Sequence, residues 1–122
     1  MLVILNAYSV KSLAMATIDL RQDWLDIVLR LIAVHLPDAE VLAYGSRVNG
    51  TSHEASDLDL VARNPLDEKQ RLTSISDLRE ALSESSLPIT VDILDWARLP
   101  ESFRQEILRG GTVLLYGRNE EE

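Results

Sequence analysis

Apolar residues recur at Leu20, Trp24, Ile27, Val28, Leu31 and Ile32, three and four positions apart, the period of one buried helical face. Asp19 or Thr17 stands where a cap is expected, and Pro37 ends the segment. Val41-Leu42-Ala43-Tyr44 then reads as a short buried strand that passes straight into Gly45-Ser46. A polar loop runs from Arg47 to Ser56. After it, Asp57-Leu58-Asp59-Leu60-Val61 alternates polar and apolar, the pattern of a strand with one wet face and one buried face. Asn64-Pro65 interrupts this pattern, and Leu72, Ile75, Leu78, Ala81 and Leu82 predict a surface helix within 67–83. Pro88 precedes a β-branched run, Ile89 to Leu94, which predicts another strand. Phe103, Ile107 and Leu108 mark a last helix between Pro100 and Gly110-Gly111, and Val113-Leu114-Leu115-Tyr116 a closing strand. The order is helix, strand, strand, helix, strand, helix, strand. It predicts an α/β (α+β) domain, one mixed sheet with helices packed on it, over residues 17–118.

Residues 1–16 are set apart as an N-terminal extension, and 119–122 as a charged tail. The extension is apolar and ends in Ala14-Met15-Ala16, which resembles a signal-peptidase site, but no basic segment precedes it, so export is not expected. Met15 is an alternative start, with the residues before it forming an extra strand or arm.

Composition narrows the function more than the fold. The 122 residues contain no cysteine, which removes disulfides, thiolate nucleophiles and zinc–thiolate sites and fits a reducing, cytoplasmic setting. Any metal must be held by oxygen or imidazole. Twenty acidic against twelve basic side chains leave a net charge of -8, the wrong sign for gripping nucleic acid, so no direct nucleic-acid binding is expected. No apolar run reaches the length of a membrane span.

The chemistry is concentrated between Gly45 and Leu60. Asp57 and Asp59 lie two apart on a strand, so both carboxylates project from one face while Leu58 and Leu60 enter the core. Neighbouring carboxylates repel unless a cation sits between them, and magnesium meets that need with oxygen ligands while keeping sites for substrate phosphates. On its own an Asp-x-Asp pair is more often an ordinary exposed strand face. Gly45-Ser46 changes the balance, because a glycine at a strand end lets backbone amides approach a phosphate and Ser46 adds a hydroxyl. The P-loop pattern is absent, with no Lys-Ser/Thr pair after a second glycine.

Gly-Ser, ten residues, then Asp-x-Asp resembles the signature of the polymerase β nucleotidyltransferase superfamily, here Gly45-Ser46 and Asp57-Leu58-Asp59. The superfamily's third carboxylate, flanked by apolar residues on a neighbouring strand, is matched by Val91-Asp92-Ile93. Asp95 is the competitor, but it projects from the opposite strand face and is better placed to cap the next turn. Many relatives carry arginine where Asn49 stands. Arg47 is retained, as a phosphate contact or as a solvent-facing side chain. His53 lies in the motif loop and could reach a nucleotide, whereas His35 lies far from it; both read more readily as ordinary surface residues. Trp24 and Trp96 read as core or surface-covering aromatics.

The resemblance implies a polymerase β-type fold and transfer of AMP from ATP with two Mg2+ ions on Asp57, Asp59 and Asp92, and with Gly45, Ser46 and Arg47 at the phosphates. Within these 122 residues no second domain is expected to hold an acceptor, so the acceptor is expected to come from elsewhere. The chain is similar to the minimal nucleotidyltransferase antitoxins, which assemble with a HEPN toxin and adenylylate one of its tyrosines. The competing expectation is an antitoxin that binds nucleotide and masks its partner stoichiometrically. A small-molecule acceptor ranks last.

Overall fold

A computed structural model describes residues 2–5 and 15–117. Residues 6–14 of the predicted extension, with Ala14 of the signal-like tripeptide, and the predicted tail lie outside the described residues. The elements are β1 (Leu2–Leu5), β2 (Met15–Ile18), α1 (Gln22–His35), β3 (Glu40–Tyr44), α2 (Ser46–Asn49), β4 (Leu58–Arg63), α3 (Ile75–Ser83), β5 (Val91–Asp95), a 3-10 turn (Trp96–Arg98), α4 (Glu101–Arg109) and β6 (Val113–Tyr116). β1 and β2 pair antiparallel, so the extra strand expected before Met15 is formed. The main sheet has the order β5-β4-β3-β6, with β4 and β5 parallel and the other pairs antiparallel. It is the mixed sheet that the element order predicts.

Strict alternation assigns the two faces. Val41 and Ala43, Leu58, Leu60 and Ala62, and Val91 and Ile93 point into a large core closed by Leu25, Val28 and Ile32 of α1 and Leu78 and Leu82 of α3. Leu42 and Val61 point the other way, into a smaller cluster with Trp96 and Ile107, flanked by Tyr44, Leu94 and Phe103. At the β5 edge, Arg79 donates to the Ile93 carbonyl at 2.7 Å.

Three local expectations are corrected. Helix α1 starts later than Asp19 or Thr17 would cap it, with Arg21 at the cap position and no side-chain cap. Asp19 is engaged elsewhere: its carboxylate accepts from the Ser52 hydroxyl and its carbonyl from Arg47. The helix predicted within 67–83 forms only from Ile75. Upstream, Asn64 and Asp67 accept from the amides of Leu66 and Lys69, local turns that compete with the helical ladder. The strand predicted from Ile89 begins at Val91 and ends at Asp95.

Candidate active site

Register brings the acids together. Tyr44 of β3 pairs with Asp59 of β4, and Asp59 with Asp92 of β5, so the three form one row across the sheet. They share the face of Leu42, Val61 and Leu94, and the row is the polar end of the smaller cluster. Asp57, immediately before β4, adds a carboxylate two residues upstream of Asp59 on the same side. Leu58 and Leu60 are fully buried on the opposite face, which prevents the strand from rotating the aspartates away.

The bend touches this row. Gly45 has φ +84°, and a Cβ built on it would lie 2.6 Å from Asp59 Oδ2. An L residue is therefore excluded twice, by backbone strain and by collision with the carboxylate. Helix α2 begins at Ser46, directly after this glycine, and Val48 and Asn49 donate to the Gly45 carbonyl at 3.0 Å each. Its leading amides have no partner within so short a helix, and they lie beside the acids.

Electrostatics mark Asp59 as the centre. Its carboxyl is held above the usual carboxylate range, first by partial burial and then by the charges of Asp92 and Asp57. The Tyr44 phenol is pushed up to about 12 by burial, with smaller contributions from Asp59 and Asp92, so it stays neutral at physiological pH. Among the described residues, no lysine or arginine pairs with any of the three acids. Nor do three or more of the described His, Asp and Glu side chains form a group placed to hold a metal ion by themselves. A cation here would need ligands beyond these carboxylates. Magnesium, which needs few protein ligands and completes its shell from water and substrate phosphates, is the ion whose chemistry fits oxygen donors that repel one another.

Arg47 does not take the place expected of it. It is 4% exposed, and its guanidinium donates to the carbonyls of Asp19 (2.6 Å), Glu54 (2.9 Å), Ser56 (2.9 and 3.1 Å) and His53 (3.4 Å). Both alternatives read from the sequence, phosphate contact and solvent-facing side chain, are thereby corrected, because the donors are taken by backbone. Asn49 is also locally occupied, its Oδ1 accepting from the amide and hydroxyl of Thr51. His53 is exposed on the loop, and His35 sits by Pro37 and Asn64 in a groove at the other end of the sheet. Asp95 caps the 3-10 turn, accepting from Ala97 N, and it also accepts from Leu72 N. Trp96 is buried in the smaller cluster, while Trp24 is half-buried beneath Arg21 and Arg47. Tyr44 was not singled out from sequence; the signal for it was its position two residues after Leu42 on the face that carries the aspartates.

Residues 38–121 match the family described as Polymerase beta, Nucleotidyltransferase. The chain belongs to this family. The probable protein adenylyltransferase MntA of Haemophilus influenzae is 44% identical over 102 residues, 82% of this chain and 85% of that protein. Among solved structures, a toxin–antitoxin with AMP-PNP shares the polymerase β-type fold at TM-score 0.62, with 21% identity over 79% of this chain and 75% of that one. A toxin–antitoxin MntA-HpeT mutant shares it at TM-score 0.60, with 20% identity over 83% and 77%. Among the described residues no helix is long and apolar enough to cross a membrane.

Proposed function

We propose that this chain is a Mg2+-dependent protein adenylyltransferase that transfers AMP from ATP to a tyrosine hydroxyl of a HEPN-type toxin and thereby acts as its antitoxin. The observation that carries the reading is the pairing of Asp59 with Asp92 beside the Gly45 bend, with Asp57 near enough to raise the Asp59 carboxyl. Likeness to MntA supports the choice of a protein acceptor, and the toxin–antitoxin neighbours support the kind of partner.

In this reading Asp57, Asp59 and Asp92 would hold the Mg2+ ions, with Asp92, on the outer strand, toward the acceptor. The bound Mg2+ would stabilise charge on the attacking and leaving oxygens during in-line displacement. The hydroxyl oxygen bonds to the α-phosphorus, the bond to the bridging α–β oxygen breaks, pyrophosphate departs and the hydroxyl proton is released. Gly45 and Ser46 hold the departing phosphates through amides and the serine hydroxyl. Phe103, edge-on to Tyr44 with centroids 6.5 Å apart, closes the apolar side of the row.

ATP labelled on the α-phosphate, incubated with Mg2+ and the toxin, should label the toxin at a tyrosine, and Asp57→Asn should abolish labelling while leaving the melting temperature close to wild type. Unlabelled toxin from an otherwise active preparation would refute the transfer. An Asp57→Asn protein that still protects cells from the toxin would establish stoichiometric masking instead.

A further inference from the structure

Arg47 raises a question that the transfer reading does not answer. A buried guanidinium normally pairs with a carboxylate, and among the described residues this one has no such partner. All its side-chain hydrogen bonds are to main-chain carbonyls drawn from two stretches of chain. Local closure of the loop does not require it. Asn49 Oδ1 already accepts from Thr51 N, His53 N donates to Ser56 Oγ at 2.9 Å, and Ser56 N donates to the His53 carbonyl at 2.9 Å. The preformed turn is instead fastened as a unit to something outside itself. That something is the segment entering α1, because Asp19 N donates to the Arg47 carbonyl at 2.8 Å while Arg47 Nη1 returns a bond to the Asp19 carbonyl.

The consequence lies in what borders these contacts. Arg47 is adjacent to Ser46, and Ser56, which accepts two of its bonds, is adjacent to Asp57. We propose that Arg47 is a positioning residue which, by tying the His53, Glu54 and Ser56 carbonyls to α2 and to Asp19, sets the separation between Ser46 and Asp57 at which a magnesium-bound triphosphate is gripped. The planar fork suits the task, because several N–H groups diverge in fixed directions toward different carbonyls. A lysine ammonium keeps the charge but cannot span them. The centroid of the Trp24 ring lies 6.0 Å from the guanidinium carbon, and the ring covers one side of the cage.

The proposal rests on the adenylyltransferase reading. Its test compares wild type with Arg47→Lys, and with Arg47→Gln, which is neutral and smaller, should the lysine variant not fold. Ser52→Ala serves as the control, since it removes the loop's other tether, the bond to Asp19, without touching the guanidinium. Arg47→Lys should raise KM for ATP at least tenfold, remove most of the MgATP-dependent rise in melting temperature, and speed amide exchange at 51–57 at least tenfold while β3 and β4 amides keep their protection. Ser52→Ala should leave KM within about twofold. A wild-type protein that gains no stability from MgATP defeats the functional reading and the proposal with it. A responsive wild type alongside an Arg47 variant with unchanged KM, or with unchanged exchange at 51–57, overturns the positioning role alone. An equal KM effect in Ser52→Ala also overturns it, because general loosening of the loop would then be sufficient.

Discussion

Two polar connections in this domain are each pinned by one buried charge, and the pair work in opposite senses. The loop from 50 to 56 is gathered by Arg47 through its carbonyls; the connection from 64 to 74 is held by Asp95, which accepts the amide of Leu72 at 3.0 Å and that of Ala97 at 3.2 Å. These are the buried charged side chains among the described residues. Their positions differ, however. Arg47 borders the end of the sheet where β3 delivers Gly45 and β4 begins, whereas Asp95 closes β5 at the opposite end. Asp95 is paired with Arg98 Nε at 3.5 Å as well as with backbone, whereas the Arg47 hydrogen bonds all go to backbone; under the proposed function the first charge lies away from the chemistry and the second borders it.

That contrast can be attacked directly, and the largest effect is expected within the acid row itself. Asp59→Asn should lower transfer by roughly 10³-fold or more, since metal stabilisation of the transition state contributes several kcal/mol. The same substitution should raise the melting temperature of the ligand-free protein. The sign follows from the raised carboxyl: the native state holds that proton more tightly than the unfolded chain, so stability is gained as pH falls through the native value and lost as pH rises through it. Removing the charge removes the loss at neutral pH. A ligand-free variant that melts below wild type would contradict this account of Asp59.

Next in size is Gly45→Ala. Left-handed backbone and the 2.6 Å approach to Asp59 Oδ2 act together, and the backbone strain alone should cost about 1–3 kcal/mol. Thermal denaturation should report that loss, and KM for ATP should rise because the carboxylate must move. The mildest functional effect belongs to Asp95→Ala. Leaving the Leu72 and Ala97 amides without their acceptor should reduce stability by about 1–3 kcal/mol in denaturant titrations. At a temperature where the variant is folded, kcat should stay within twofold of wild type. A large fall in kcat would show that the two ends of the sheet are not independent and would dissolve the comparison.

The sequence made the aspartates legible because a period of two is a strong signal when the intervening Leu58 and Leu60 are large and apolar. Asp92 was legible for the same reason, set between Val91 and Ile93. Arg47 was not, because a charged residue in a polar loop carries no local sign of burial; only the fold brings Asp19 and residues 53–56 around it. The helix predicted too early, from Asp67, shows a different weakness. Leu72 fits a helical period, yet Asn64 and Asp67 divert the preceding backbone into turns, and Leu72 is held by Asp95, 23 residues away in sequence. Tyr44 went unmarked because an aromatic at the end of an apolar run looks like core until its neighbours across the sheet prove to be carboxylates.

Arg79 reaches from α3 to the Ile93 carbonyl on the outermost strand, and this small contact has a bearing on how a partner can approach. A sheet margin whose carbonyl is occupied by a charged side chain is a poor template for another strand. Under the proposed function, a toxin segment bringing its tyrosine toward Asp92 would meet an edge with this carbonyl already occupied, which favours recognition through side chains presented over the strand ends. Selectivity among acceptors would then depend on surface chemistry rather than on main-chain pairing, which accepts almost any sequence.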